Sequence, residues 1–446
     1  MAKEKEEYGL FTAIAMIVGI VIGSGIFFKS DNILVYTNGS IIKGVAVFVI
    51  AAIGIIFGSL AIAVLATKTT KPGGVITYAD EYAGRKIAGA FGWFQVFIYY
   101  PSLLAVVSWI VGVYMCMLMG WEATPERMAI IGAIAFLGCY TINYFSALLG
   151  GFFQNFTTIS KVILIGVLAI AGFKYGDPKI ITNAEILVAG GSLAWLGALA
   201  PIAFSYDGWV VSTSISHEIK NSKKNLPIAL IIGPIFVLVA YVLYFVGISI
   251  LVGPERIMEL GDAHVNEAVT MLFGTAGAKI FLIFIIFSVL GTLNGFTLGF
   301  LRMPYSLAIR GMFPMAEKIS YLEEGHHVPK FSAKIAFVIT AVFIVINYIA
   351  QKYNLIPNSD ISEIPIVASY ILYIILYFCV IKLYRKGEVD GAMKGLIIPI
   401  IAILGSLIII VGGLQNPMTF IYLGICTVVI LIALIYLKKD NNMGNS

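Results

Sequence analysis

The sequence predicts an all-α polytopic membrane protein with twelve transmembrane helices. Three observations carry that prediction. Apolar residues make up 60% of the 446 and charged residues 12%, about half the charged share of a soluble domain. Mean hydropathy is +0.96, more apolar surface than a water-soluble core can hide. The apolar residues also fall into twelve continuous runs of membrane-spanning length. Because these runs do not alternate in polarity, they exclude a transmembrane β-barrel.

The runs lie near 9–35, 44–66, 87–119, 128–149, 152–173, 192–216, 227–252, 277–309, 335–350, 364–381, 395–415 and 417–437. The third and eighth are long enough to tilt strongly. Between the seventh and eighth, the acidic stretch from Glu255 to Glu267 suits a short surface helix. Of the 29 Lys and Arg, 20 fall in segments on the side of the N-terminus and 8 on the other, with Lys161 alone inside a run. That bias places both termini in the cytoplasm. The reading is a multi-pass protein of a prokaryotic plasma membrane with cytoplasmic tails at 1–8 and 438–446. The first run is too long for a signal-peptide core.

Catalytic and metal chemistry find no footing. Cys116, Cys139, Cys379 and Cys426 sit in apolar runs without a pairing pattern, and His217, His264, His326 and His327 have no ligand spacing. No nucleophile elbow or phosphate loop occurs. We expect no enzyme, no metal, no cofactor and no nucleic-acid partner.

Two runs are interrupted by residues unsuited to a continuous helix. The first reads Gly19-Ile20-Val21-Ile22-Gly23-Ser24-Gly25-Ile26-Phe27. Glycine gains backbone freedom by unwinding there, although Gly19 and Gly23 also form a GxxxG packing pattern. The sixth reads Pro201-Ile202-Ala203-Phe204-Ser205-Tyr206-Asp207-Gly208-Trp209. A carboxylate in mid-membrane is costly unless paired. Asp207 suits an N-cap for a half-helix starting at Gly208, with a direct role in substrate or proton chemistry as the alternative. Gly25 and Gly208 are 183 positions apart, about five spans. An odd number of spans per half inverts one half relative to the other, the signature of an inverted-repeat transporter. The repeats are read as 9–175 and 192–386, with two further helices over 394–437. The freed N–H groups of one half-helix suit a carboxylate, and the freed carbonyls suit an ammonium, so the pair suits an α-amino acid.

Lys161 lies about 13 Å into the fifth run, with no acid within a helical turn. It reads as a functional cation, with snorkelling as the alternative. Arg302, at the end of the eighth run, reads as snorkelling. Gly291, Gly295 and Gly299 give that run a small-residue face toward the first span, and Asn294 adds a polar group at mid-depth.

The stretches Ile22-Gly23-Ser24-Gly25-Ile26-Phe27, Phe204-Ser205-Tyr206-Asp207-Gly208-Trp209 and His217-Glu218-Ile219-Lys220-Asn221-Ser222-Lys223-Lys224-Asn225-Leu226-Pro227 resemble the amino acid–polyamine–organocation transporter superfamily, in its L-type amino-acid transporter branch. The resemblance implies a five-plus-five inverted repeat with broken first and sixth helices, followed by two extra helices, and alternating access. It implies a substrate site of Val21, Gly23, Ser24, Gly25, Ile26, Phe204, Ser205 and Asp207. In it Ser24 and Gly25 take the carboxylate, and the carbonyls of Val21, Phe204 and Asp207 take the ammonium. It implies gating or coupling roles for Lys161 in the place of a sodium ion, for the Phe204 ring as a lid, for Tyr241 in preference to Tyr244, and for Asn294. The expected activity is sodium-independent transport or exchange of neutral L-amino acids. The alternatives are a cationic amino-acid or polyamine carrier, or a proton-coupled symporter. Branch members that pair with a glycoprotein do so through a cysteine between spans three and four. Gly120 to Arg127 holds none, so no disulfide-linked heavy chain is expected.

Overall fold

The structure is a computed structural model that describes residues 8–69, 71–182, 193–322, 328–356, 360–415 and 418–443. The architecture is helical. Among the described residues the β content is one isolated bridge, between Tyr8 and Ile219. Among the described residues ten helices are long and apolar enough to cross a membrane. The first apolar run forms α1 (Leu10–Val21) and α2 (Ser24–Tyr36). Then come α3 (Ile41–Ala66), α4 (Arg85–Met119), α5 (Pro125–Phe145) and α6 (Ala147–Tyr175). A short α7 (Leu199–Ser205) precedes a turn and a 3-10 segment, Val211–Glu218. The rest comprises α8 (Ser222–Val252), α9 (His264–Phe300), α10 (Lys330–Lys352), α11 (Ile364–Arg385), α12 (Met393–Gly413) and α13 (Met418–Met443).

Local chemistry sets the boundaries. Ser40 caps α3 by accepting from Lys43 N–H, Thr124 caps α5 through Arg127 N–H, and Ser146 caps α6 through Leu149 N–H. Pro125 occupies the first helical position of α5, where its missing N–H costs nothing. Gly120 ends α4 in the left-handed conformation, φ 66°. Several helices run further than the apolar reading expects. Residues 330–334, 85–86 and 222–226 are helical because backbone bonding continues into the polar interface, whereas counting stopped at the first charge. The expected surface helix is present as Pro254–Leu260. A bend at Gly274, φ 68°, divides the start of α9 from its long apolar body.

The helix α1 packs against α6, α8 and α9, and α2 packs against α7. Both interrupted segments therefore sit inside the bundle. Large apolar side chains such as Phe145, Phe152 and Ile170 are mostly exposed, forming an outward surface suited to lipid. At the end carrying the N-terminus, Tyr8 N–H donates to Glu218 O at 3.0 Å and Lys220 N–H donates to Tyr8 O at 2.8 Å. Arg302 does not snorkel. It is 2% exposed, its guanidinium grips both carboxylate oxygens of Glu218, and it donates to Leu298 O at 2.8 Å. The Glu218 carboxylate and the Leu298 carbonyl give the guanidinium partners inside the bundle, so it need not reach water.

Candidate functional site

The site begins with the backbone that two broken helices leave unpaired. In a continuous helix Gly23 N–H would donate to Gly19 O. Instead it donates to Val21 O at 2.8 Å, with Gly23 at φ −128° and ψ −141°. The carbonyls of Gly19 and Ile20 are thereby released, and α2 opens with N–H groups that lack helical acceptors.

Side chains from three other helices take up the released carbonyls. From α6, the fully buried Lys161 Nζ donates to Gly19 O and also reaches Thr292 Oγ1 at 3.3 Å. From α9, Thr292 Oγ1 lies 3.3 Å from both Gly19 O and Ile20 O. One turn earlier, Thr158 of α6 donates to Ala15 O at 3.0 Å. From α8, Tyr241 Oη lies 2.6 Å from Val21 O and 2.7 Å from Ser205 O. Its single proton is shared between the carbonyls that end α1 and α7, so one phenol ties the two breaks together. The Tyr206 ring packs on Tyr241 with centroids 5.1 Å apart.

The breaks meet closely. A Cβ on Gly25 would stand 2.7 Å from Ser205 Cα, and one on Gly23 would stand 2.3 Å from Thr292 Oγ1. Gly25 therefore faces the backbone of α7. Gly208 turns the chain at φ +96°, a conformation glycine adopts at little cost. Asp207 is buried, and its carboxylate accepts from Tyr99 Oη of α4 at 2.8 Å and from the Gly208 N–H. The next helical segment opens only at Val211. The carboxylate thus anchors the turn and does not cap a helix starting at Gly208.

Between the breaks lies a cavity of about 20 Å³, lined by Val21, Gly23, Gly25, Asp207, Thr292 and Phe296 among others. That volume is on the scale of one water molecule, so the core is closed around the site. Of the residues expected here, Val21, Gly23, Gly25, Ser205 and Asp207 come together, and Ile26 is buried beside them in the first turn of α2. Ser24 and Phe204 contribute backbone at the two breaks; their side chains lie outside the described residues, so the lid expected of Phe204 is not assigned a geometry. Lys161 and Tyr241 reach the site. Tyr244 is buried on the same helix, but the phenol that bridges the breaks is that of Tyr241.

Asn294 is placed elsewhere. Its amide donates to Gly150 O at 3.1 Å and Gln154 Oε1 at 3.0 Å, and accepts from Asn143 Nδ2 at 2.7 Å. This is an amide network joining α5, α6 and α9. The small-residue face of α9 is divided likewise. Gly295 faces Ile20 of α1, whereas Gly291 faces Thr157 and Lys161, and Gly299 faces Val211 and Tyr100. Sequence reasoning missed Thr292, Tyr99 and Phe296. Thr292, flanked by Gly291 and Leu293 on an apolar helix, carried a faint signal as an intramembrane hydroxyl; Tyr99 and Phe296 carried none.

The amino acid permease family profile matches residues 8–435. The chain is 33% identical to the serine/threonine exchanger SteT of Bacillus subtilis, covering 91% of this chain and 90% of the relative. It is 29% identical to the b(0,+)-type amino acid transporter 1 of Mus musculus, over 97% and 87% respectively. A human cystine/glutamate transporter is 26% identical over 73% of this chain and 65% of its own. The chain belongs to the amino acid permease family of the amino acid–polyamine–organocation superfamily, a multi-pass membrane transporter of amino acids and not an enzyme.

Proposed function

We propose that this protein is a sodium-independent exchanger or secondary transporter of neutral L-amino acids. The observation that carries this reading is the Lys161 ammonium on the released Gly19 carbonyl, beside Thr292. A cation is built into the place where a bound ion would otherwise neutralise unpaired carbonyls. The substrate carboxylate meets the N–H groups opening α2 at Ser24, Gly25 and Ile26, where the helix dipole favours an anion. The ammonium meets the carbonyls of Val21, Phe204 and Asp207. Phe204 closes the pocket, Tyr241 holds the two breaks in register, and Asn294 stiffens the helices behind Lys161. The closed cavity must open alternately to each side.

The wider frame belongs to the same proposal. It comprises five-plus-five inverted repeats with two extra helices, both termini in the cytoplasm of a prokaryotic cell, and no disulfide-linked heavy chain, since Gly120 to Arg127 lacks cysteine. The name of the Bacillus relative, a serine/threonine exchanger, supports small neutral substrates. One observation favours a second reading: Asp207 lines the cavity, and its carboxylate suits a cationic side chain.

The test is uptake of radiolabelled amino acids into proteoliposomes preloaded with each candidate, with and without sodium and a pH gradient. Saturable uptake without sodium, accelerated by internal serine or alanine, is the expected result. Competition by arginine or putrescine stronger than that by alanine would establish the cationic reading. Absence of flux would remove transport of these substrates.

A further inference from the structure

An apolar groove away from the site runs along the seam between α11 and α12 on the outside of the bundle. Phe378, Ile381, Lys382 and Arg385 line it from α11, and Leu396, Ile400 and Leu404 from α12. On α11 these positions fall at i, i+3, i+4 and i+7, one face of a helix. On α12 they fall four residues apart. The groove is about 460 Å³ and, at 1.5 Å per residue, about 10 Å long. Its floor is formed by Ile381, which is buried, while Phe378 and Leu404 stand exposed on its rims, at 56% and 55%.

The groove is polarised. The two helices are joined by a turn through Gly387 and Gly391, so Arg385 and Lys382 lie at the loop end and Phe378 and Leu404 lie deeper. Both cations are exposed, and neither enters an ion pair or hydrogen bond among the described residues. A π-helical turn over Met393–Ile397 places Leu396 at the mouth. Such turns widen a helix locally and recur at functional sites. At the same end, a Cβ on Gly395 would stand 2.4 Å from Tyr384. The helices are thus tightly joined beside the mouth and separated along the groove.

We infer that this seam is a binding site for one anionic phospholipid, with the headgroup phosphate on Lys382 and Arg385 and an acyl chain between Phe378, Ile381, Ile400 and Leu404. The charge complementarity and the depth select this occupant. The deep half of the groove faces the bilayer interior, where an apolar chain is the available filling. The mouth is at the interface, where basic pockets between helices attract lipid phosphate.

Native mass spectrometry of the full-length protein, titrated with phosphatidylglycerol and separately with phosphatidylcholine of the same acyl chains, tests the site. The first phosphatidylglycerol should bind more tightly than phosphatidylcholine. Its apparent Kd should rise about fivefold in Lys382→Gln and in Arg385→Gln, and about thirtyfold in the double variant, approaching the phosphatidylcholine value. The pair Lys86→Gln/Lys438→Gln removes the same charge outside the groove and should leave the first site unchanged. These surface substitutions leave the packed floor intact, so folding does not obscure the reading. Equal binding of the two lipids, or equal losses in the two double variants, would overturn the proposal. Displacement of the lipid by glycerol phosphate alone would reassign the cations to a soluble anion. A dimer disrupted by the groove substitutions, without lipid preference, would reassign the seam to a second copy of this chain.

Discussion

Removing the Lys161 amine isolates the element on which the proposed sodium independence rests. In Lys161→Met the aliphatic stem is largely retained and the bond to Gly19 O is lost. That carbonyl is then left with Thr292 Oγ1, at 3.3 Å and shared with Ile20 O. A buried polar group left without its partner costs about 1–3 kcal/mol. If that cost falls on the substrate-competent arrangement of the break, transport efficiency should drop about five- to 150-fold. Lys161→Ala should drop at least as far, because it also empties the space of the stem. Thr292→Val removes the second donor to the same carbonyl, so the double variant should lose a different amount from the sum of the singles. The assay is initial-rate uptake of labelled serine into proteoliposomes in sodium-free choline buffer at fixed pH, normalised to reconstituted protein. Wild-type flux that requires sodium, or normal flux in Lys161→Met, would refute the ion-substitute role.

Three further outcomes are expected. Tyr241→Phe keeps the ring and removes the hydroxyl shared by Val21 O and Ser205 O; substrate affinity, read by scintillation proximity binding, should fall about fivefold or more while melting is little changed, and wild-type affinity would show that the bridge is dispensable. Gly25→Ala drives a methyl to 2.7 Å from Ser205 Cα. The two breaks must separate, and binding should be lost together with some thermal stability; a variant that binds normally would show that they can part without consequence. Glu218→Gln leaves the buried Arg302 without its carboxylate, a change that costs about 3–5 kcal/mol. The yield of folded protein on size exclusion should collapse, with partial recovery in Glu218→Gln/Arg302→Met, and normal yield in the single variant would rule out a structural role for the pair.

By itself the sequence determined the solvent and the helices. Long apolar runs specify helices in lipid because backbone groups there must be satisfied within their own segment. Gly23-Ser24-Gly25 and Phe204-Ser205-Tyr206-Asp207-Gly208 marked the breaks, since closely spaced glycines and an intramembrane carboxylate weaken a continuous apolar helix. Lys161 stood out for the same reason. The partners of these groups were decided by tertiary structure alone. Nothing near Gly19 in the chain indicates that Lys161 and Thr292 will meet its carbonyl, or that Tyr241 will span Val21 and Ser205, because those contacts join residues 36 to 273 positions apart. Asn294 had the polarity of a site residue but was drawn into an amide network with Asn143 and Gln154. Arg302 had the position of a snorkelling residue but found Glu218 inside the bundle. In each case local chemistry states that a polar group in the membrane needs a partner, and only the packing of distant helices determines which partner lies within reach.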